Sequence, residues 1–268
     1  MYFLGKSLQD EGAYIHSLAI NTQKHYVEPD VFSKSKIKIE AVTVDTSIRI
    51  TDAFLNLFSE VPYNVARFDS RDFETKLLEI LSVESFDIIQ LEGLYLSPYV
   101  ETIRAFSEAK ISMRSHNIEH EIWERIAENE KGIKRWYLKI LAKQLKKYEI
   151  ERLNKYDMVT SVTERDAQML KEFGCKLPIH VCPAPYDETV LKPDKSIIEL
   201  PSLFFIGALD WLPNVEGLEW FLKNAWEKIH SQFPELKFYI AGRNASQIIF
   251  PGAKNLVVVG EVENAYDF

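Results

Sequence analysis

The sequence predicts an α/β protein with doubly wound parallel sheets, and two observations support this prediction. Strand-like and helix-like patterns alternate along almost all of the 268 residues. Several strand candidates are continuous apolar runs such as "FDIIQL", which are typical of strands buried on both faces. The length exceeds that of an average domain, so one large or two medium domains are expected.

The strand candidates are short runs rich in β-branched or aromatic residues, bounded by turn formers. In chain order they cover residues 14–20, 37–44, 65–68, 86–91, 111–114, 158–162, 179–182, 203–206, 237–241 and 256–259. Helical patterns fill most of the intervals between them. At one of these helix starts the residues "TERD" form a capping pattern that begins at Thr163.

A domain boundary is predicted at "PAPYDETVLKPDKSIIELP", where prolines and charges replace the periodic pattern. The first predicted domain covers residues 1–185, and the second, shorter domain covers residues 186–268. Only three strand candidates fall in the second domain.

Composition excludes several classes of protein. The net charge of −8 argues against general affinity for nucleic acid. The two cysteines have no metal-type or redox-type spacing, so a reduced cytoplasmic location is expected. No apolar run approaches the roughly 18 residues of a membrane span, and the N-terminus does not resemble a signal peptide.

Ligands of open α/β sheets bind at the carboxyl ends of the strands, so the residues that follow each strand are candidates for function. Turn formation alone explains some of them, and helix capping explains Thr163. Convergence from several strands indicates function for the histidine and the glycines. The candidates are Glu92, Gly93, His116, Asn117, the turn 207–214, Gly242, Arg243, Gly260 and Glu261.

The turn in "FIGALDWLPNVEGLEWF" contains residue types that a simple strand-to-helix connection does not require. Gly207 follows a strand directly and permits close approach of a ligand to the backbone. Pro213 suits the first turn of a helix, whose free N–H groups favour an anion such as a diphosphate. Trp211 is either a packed aromatic residue or a platform for a ligand.

The segment "FIGALDWLPNVEGLEWFLKNAWEKIHSQFPELKFYIAG" resembles the start of the second domain of family-four retaining glycosyltransferases. The shared pattern is a strand ending F-x-G, then D-W-x-P-N, a helix with WF and W, and P-x-x-x-F-x-I-x-G. The segment "ISMRSHNIEHEIWERIA" is similar to a first-domain element in which His-Asn follows a strand. With "DIIQLEG" and "YDMVTSVTERDAQML", the resemblance covers most of the chain from about residue 86 onward.

This resemblance implies a GT-B arrangement, in which two Rossmann-like domains face each other across a cleft. The first domain would bind a glycan or lipid-linked acceptor and the second a nucleotide-sugar donor, with no cofactor. On the donor side, a glycine backbone would approach the diphosphate, an asparagine would cap the helix start, and the remaining residues would border the nucleotide and its base. The donor-side residues implied in this way are Gly207, Asn214, Gly242, Arg243, Glu261 and Val262.

In the first domain, His116 matches the histidine that faces the donor sugar in such enzymes. A histidine can donate to a sugar hydroxyl or a phosphate oxygen, and it changes charge near neutral pH. The alternative is a packing or capping role for the helix that follows. Glu92 and Asn117 are assigned to the acceptor side, although Glu92 suits an ordinary capping or salt-bridging role equally well. His120 is expected to be structural or to lie on the surface.

Two departures from the family pattern bear on completeness. The pattern begins with a strand and a glycine-rich loop that precede the helix in which this sequence starts. It also continues with a second glycine-rich loop and a pair of glutamates that hold the donor. We therefore expect the sequence to be part of a longer transferase with an incomplete second domain.

The segment "KGIKRWYLKILAKQLKKYEIERLNK" holds nine basic and two acidic residues in an acidic chain. At 3.6 residues per turn the basic residues share one helical face, with Trp136 at its border. The opposite face is expected to pack on the domain, and it holds Ile133, Tyr137, Ile140, Leu141, Leu145 and Tyr148. The basic face is either a solvated surface or a peripheral contact with anionic lipid at the inner face of a membrane. Its residues are Arg135, Lys139, Lys143, Lys146 and Lys147.

The functional prediction is transfer of a sugar from a nucleotide donor to a hydroxyl acceptor with retained configuration. No metal is expected, because "HNIEH" offers two histidines at chelating distance but no third ligand. Two alternatives remain open: a non-catalytic carbohydrate- or nucleotide-binding module, and another GT-B enzyme such as a nucleotide-sugar epimerase.

Overall fold

The computed structural model describes residues 2–24, 26–28, 37–185, 199–247, 253–263 and 265. The chain divides into two compact units, Met1–Pro185 and Tyr186–Phe268, called unit 1 and unit 2 below. Every strand pairing in the described residues is parallel, which confirms the predicted α/β class with parallel sheets. The acceptor and donor roles given to the two units stay predictions.

Within the part of unit 1 that the structure describes, there is a two-stranded sheet, order β1-β2, and a four-stranded sheet, order β3-β4-β5-β6. The strands are β1 (His16–Thr22), β2 (Lys38–Val44), β3 (Ile88–Glu92), β4 (Lys110–Ser115), β5 (Met158–Ser161) and β6 (Ile179–Val181). The α-helices are α1 (Tyr2–Asp10), α2 (Ile50–Leu55), α3 (Tyr63–Ala66), α4 (Arg71–Val83), α5 (Val100–Phe106), α6 (Glu119–Asn129), α7 (Gly132–Arg152) and α8 (Glu164–Glu172). Two 3₁₀ helices cover Asn56–Phe58 and Leu94–Tyr99.

The core of unit 1 lies around the central strand β4. Ile111 and Met113 of β4 are buried with Val159 of β5 and with Leu170 of α8. Helices on the sheet supply the remaining apolar partners, among them Tyr99. Residues of β4 and β5 are buried on both faces of the sheet, as expected for continuous apolar strands. The apolar run of β3 departs from this expectation, because β3 lies at the edge of the described sheet and Ile88 is 60% exposed.

Unit 2 contains one sheet, order β7-β8-β9, in the described residues. The strands are β7 (Ser202–Ile206), β8 (Lys237–Ala241) and β9 (Leu256–Gly260), and the helices are α9 (Leu212–Phe221) and α10 (Glu227–Gln232). A π-helical turn, Leu222–Trp226, joins α9 to α10. Trp226 is the largest buried side chain there, and its Nε1 donates to the carbonyl of Lys254 at 3.0 Å.

Sequence and structure differ at the predicted strand 65–68, which is wrong. Pro62 precedes α3, and its carbonyl accepts from the N–H groups of Val65 and Ala66, each at 2.9 Å. The apolar run is too short for its periodicity to separate a strand from a helical turn. The predicted cap at Thr163 is confirmed, since its Oγ1 accepts from the N–H of Asp166 at 3.1 Å.

Candidate functional site

The first candidate site lies at the carboxyl ends of β3 and β4 in unit 1. The parallel register pairs Glu92, the last residue of β3, with Arg114 of β4. His116 follows β4 directly, and its Nε2 lies 2.8 Å from Oε2 of Glu92. The sheet edge therefore brings together two strand-end residues that are 24 positions apart in the chain.

Three side chains hold the Glu92 carboxylate. Nε2 of Gln90 donates to Oε1, whereas Oε2 faces His116 and, at 3.7 Å, Nη1 of Arg114. Arg114 is buried, and its Nη2 donates to the carbonyl of Cys182 at 3.3 Å. The guanidinium thus connects three strand ends, and Glu92 orients the imidazole. Of the two roles considered for Glu92, ion pairing is observed, and contact with an acceptor hydroxyl stays a prediction.

The imidazole of His116 is partly open to solvent, with 37% of its side chain exposed. Because Glu92 holds Nε2, Nδ1 is the ring nitrogen available to a ligand. A neutral ring that donates through Nε2 accepts through Nδ1, and a protonated ring donates through both. Gly93 forms the adjoining turn with φ 101, and a Cβ there would lie 3.8 Å from Cδ2 of His116. Only glycine adopts this backbone conformation at little cost.

A buried glutamate from α7 fixes the start of α6, the helix that follows His116. The N-cap residue Ile118 provides no side-chain acceptor. Oε1 of Glu149 instead accepts from the N–H of Glu119 at 3.1 Å, and Oε2 accepts from that of His120 at 3.3 Å. Two free N–H groups of the helix start are thereby satisfied by a distant carboxylate.

His120 is structural, which was one of the two predicted outcomes. Its side chain is buried, and Nδ1 lies 2.6 Å from Oε2 of Glu149. Its ring also packs against Phe173, with 5.3 Å between the ring centroids. The histidine therefore locks α6 onto α7 and α8 and does not face the candidate site.

A small cavity of about 20 Å³ lies behind His116 and is lined by Asn117, Glu119 and Glu149, among others. Burial raises the pKa of the Glu119 carboxyl above its usual range, and the neighbouring Glu149 acts in the same direction. Glu119 accepts a hydrogen bond from the hydroxyl of Tyr95 at 2.7 Å. The cavity is the size of about one water molecule, so it is not a substrate pocket.

The second candidate site lies in unit 2, where a glycine stands at or just beyond the end of each strand. Gly207 follows β7, Gly242 follows β8, and Gly260 ends β9. The N–H of Gly242 donates to the carbonyl of Gly260 at 2.7 Å, and that of Gly207 donates to Ala241 at 3.1 Å. A Cβ on Gly242, whose φ is 126, would lie 2.0 Å from the carbonyl oxygen of Gly207. The three strand ends thus form an edge of closely packed backbone, called the glycine edge below.

The turn that contains Gly207 and Asn214 corrects one sequence prediction, the capping role of Asn214. The backbone of Gly207 is not in the left-handed region, and a Cβ there would lie 3.1 Å from the ring of Phe205 and 3.2 Å from Nδ2 of Asn214. The predicted capping role of Asn214 is wrong: Trp211 is the N-cap of α9, and Nδ2 of Asn214 donates back to the carbonyl of Ala208 at 2.9 Å. The amide group therefore closes the turn and does not satisfy the helix start.

The remaining donor-side residues flank the glycine edge. Nη2 of Arg243 lies 3.1 Å from Oδ1 of Asp210, which leaves the exposed guanidinium beside the turn that precedes α9. The backbone carbonyl of Arg243 accepts from the N–H of Leu209 at 2.8 Å. Glu261 and Val262 follow β9 at the same edge. Contacts of all these residues with a nucleotide stay predictions.

The structure places the basic residues predicted for α7 on its exposed side, and they are Arg135, Lys139, Lys143, Lys146 and Lys147. Leu141, Leu145 and Tyr148 are buried on the other side, as predicted. Ile133 departs from the prediction, because it lies one residue after the start of α7 and is 84% exposed. No helix in the described part of the chain is long and apolar enough to span a membrane.

Sequence reasoning missed two members of the first site, Arg114 and Glu149. Arg114 stood inside an apolar strand, and a buried cation there signals a carboxylate partner. Glu149 stood on the apolar side of a basic helix, where a carboxylate likewise needs a buried partner. Both signals were visible, but the partners come from other elements of the fold.

Comparison with known proteins gives a likeness in structure and none in sequence. No protein-family model matches the chain, and no curated protein matches its sequence. Among solved structures, the chain is similar to a UDP-glucosyltransferase from Polygonum tinctorium that glucosylates indoxyl, determined with 3,4-dichloroaniline. The identity is 9% and the TM-score 0.43, over 92% of this chain and 72% of that one. A likeness at this level assigns no function, which has to come from the residues themselves.

Proposed function

We propose that the chain binds a nucleotide-sugar donor through unit 2 and supports glycosyl transfer to a hydroxyl acceptor. The glycine edge carries this proposal. Gly207, Gly242 and Gly260 present backbone without side chains at the carboxyl ends of three adjacent parallel strands. This edge is where open α/β sheets bind nucleotides, because bare backbone allows close approach of phosphate groups.

Two further features of unit 2 suit a diphosphate. The turn after Gly207 leads into α9, a helix whose N-cap Trp211 makes no side-chain capping bond. Backbone N–H groups at such a helix start favour an anion. Arg243 adds an exposed cation at the same edge, and a guanidinium can bind two phosphate oxygens at once.

In unit 1, we propose that His116 contacts the sugar through Nδ1 while Glu92 fixes the ring. The family resemblance supports retention of configuration, and it supports a glycan or lipid-linked acceptor near Glu92 and Asn117. The same resemblance supports a cytoplasmic enzyme without a resident metal.

Calorimetric titration with UDP, GDP and ADP and with their sugar conjugates tests the donor site. A ligand at a hundred times its Kd should add about 2.7 kcal/mol of stability. Arg243→Met should weaken binding about tenfold or more, and it should lower the Tm of the ligand-free protein only slightly, through loss of the ion pair with Asp210. Arg125→Met, at an exposed arginine of unit 1, should not weaken binding. Absence of any nucleotide binding to the parent protein would overturn the proposal.

Product analysis separates transfer from the alternatives. An anomeric proton signal of retained configuration in the glycosylated product is the expected result. Nucleotide binding with no product from any acceptor would favour a binding module, and interconversion of the sugar on the nucleotide would identify an epimerase.

A further inference from the structure

Residues 48–58 of unit 1 expose many large apolar side chains. Ala53 is the buried residue of α2, and the 3₁₀ helix that follows α2 buries none. Phe58 is 86% exposed and Ile50 is 84% exposed. Several large apolar side chains exposed within one short segment are typical of an interaction site. The exposed side chains, called the apolar segment below, are Ile48, Ile50, Phe54, Leu55 and Phe58.

The apolar segment is fixed along one flank of α7. Nε2 of Gln144 donates to the carbonyl of Leu57 at 2.8 Å. At the other end, the hydroxyl of Tyr63 accepts from the N–H of Arg49 at 2.9 Å, and Tyr63 packs in the same apolar cluster as Tyr137. Tyr137 and Gln144 lie two turns apart on one line along α7. Both attachments therefore fall on the same side of this helix.

Apolar side chains of α7 itself extend this surface. Ile133 lies one turn before Tyr137 on the same line, and it is almost fully exposed. Trp136 is 54% exposed, and its neighbours at three and seven residues along the helix are Lys139 and Lys143. The tryptophan thus stands within the basic face and not at its border.

Among the described residues, few acidic side chains pair with the basic face next to this surface. Nζ of Lys147 lies 3.8 Å from Oε1 of Glu151, and Nζ of Lys146 lies 5.8 Å from the centroid of the Phe173 ring. Within the part of the chain that the structure describes, no ion pair holds Arg135, Lys139 or Lys143. In a protein of net charge −8, such a face is complementary to an anionic partner.

We propose that the apolar segment, Ile133, Trp136 and the basic face form one docking surface for an anionic lipid bilayer. Basic side chains would bind the headgroups, while the apolar residues and Trp136 would enter the boundary of the acyl region, as at interfacial helices. Charge complementarity alone would also fit an acidic protein. Exposed phenylalanine, isoleucine and tryptophan beside lysine favour a bilayer, because a bilayer offers an acyl region to the apolar side chains directly beside anionic headgroups for the lysines. The proposal does not depend on the reaction in the candidate sites.

Sedimentation with vesicles tests this docking surface. The parent protein should bind phosphatidylcholine vesicles that contain about one third phosphatidylglycerol and should not bind pure phosphatidylcholine. Binding should weaken strongly at about 0.5 M salt but persist in part, because apolar insertion is not screened. Lys139→Glu with Lys143→Glu and Lys147→Glu should reduce the partition coefficient more than about a hundredfold.

Matched variants separate the surface from general charge and hydrophobicity. Lys171→Glu with Lys223→Glu and Lys228→Glu changes the net charge equally at exposed sites elsewhere and should leave most binding intact. Phe58→Ser should reduce binding about tenfold, and Phe106→Ser, at an exposed phenylalanine of α5, should not. Parent protein, but not its Trp136→Phe variant, should show a blue-shifted tryptophan emission with anionic vesicles.

Several outcomes would overturn the proposal. Equal losses of vesicle binding in the two triple lysine variants would show that binding depends on the net charge and not on this surface. A parent protein that binds no vesicle has no such surface for lipid. If that parent protein is instead a dimer that Phe58→Ser dissociates in light scattering, the apolar segment is an interface between two copies.

Discussion

Glu92 and His116 form a hydrogen-bonded pair across the ends of two neighbouring strands, with 2.8 Å between Oε2 and Nε2. The pair depends on the parallel register of β3 and β4, because a shift by one residue would turn Glu92 to the other face of the sheet. The register of β3 and β4 therefore determines that Nε2 of His116 bonds to Glu92, which leaves Nδ1 for a ligand.

The first prediction separates function from packing at His116. His116→Ala should lower turnover of an active enzyme about ten- to a hundredfold, as expected for loss of a hydrogen bond to a polar or charged group. Its urea midpoint should change little, because the side chain is partly exposed. Glu92→Gln should lower turnover less, since an amide still accepts from Nε2. His180→Ala, at an exposed position of β6, is the control. Parallel losses of midpoint and turnover would show that His116 is only a packing residue.

The second prediction concerns the Glu149 carboxylate, which satisfies the start of α6 and pairs with His120. Glu149→Ala should lower the free energy of unfolding by about 3 kcal/mol, because it leaves a buried histidine and two N–H groups without an acceptor. Glu151→Ala, two residues later and exposed beside Lys147, should change it by less than about 0.5 kcal/mol. Urea unfolding of both variants provides the measurement, and similar stabilities for the two would contradict the capping role.

The third prediction concerns acid stability and Asp157. The N–H of Ile111 donates to its carboxylate at 2.7 Å, and this bond lowers the pKa of Asp157, helped by Arg104 at 2.7 Å. A carboxyl whose folded pKa is lowered stabilises the fold above its unfolded pKa of about 3.9. That contribution is lost as the pH falls through the lower, folded pKa.

Asp157→Asn should therefore cost about 1 kcal/mol at pH 7 and make the acid limb of the stability curve flatter than that of the parent. Urea midpoints from neutral pH down to about pH 3 measure both effects. Two curves that stay parallel over this range would assign no pH-dependent stability to Asp157.

The sequence was sufficient to predict the parallel α/β fold and the strand ends at which the candidate residues lie. These predictions depend on local patterns: apolar runs, turn formers and the residue directly after a strand. His116 and the glycines of unit 2 could be found in this way because the carboxyl ends of parallel strands share one edge. The segment 65–68 was too short for its apolar pattern to decide between strand and helix.

Contacts between distant elements could not be predicted. The capping of α6 by Glu149 depends on how α7 packs on α6, and no local spacing encodes that packing. Exposure of Ile133 and of the apolar segment has the same origin, because periodicity groups residues on a face but does not say whether another element covers it. Asn214 shows that residue type alone does not predict the role of a side chain in a turn. Asparagine often caps a helix, but the amide of Asn214 donates back to the turn and closes it.

The last prediction tests the glycine edge of unit 2. A Cβ on Gly242 would lie 2.0 Å from a backbone oxygen of Gly207, and the φ of 126 is strained for any other residue. Gly242→Ala should therefore lower the free energy of unfolding of unit 2 by more than about 3 kcal/mol.

Gly217→Ala is the matched control: this glycine lies inside α9, where a Cβ would meet nothing within 4 Å, so alanine should stabilise the helix by up to about 1 kcal/mol. Gly207→Ala should fall between them, because its Cβ would meet only the ring of Phe205 and an amide that can shift. Thermal unfolding of the three variants gives the order, and nucleoside diphosphate titration of Gly207→Ala then measures the cost to binding. A Gly242→Ala protein as stable as the parent would mean that the strand ends are not packed as described, and an unchanged affinity of Gly207→Ala would mean that no diphosphate approaches this edge.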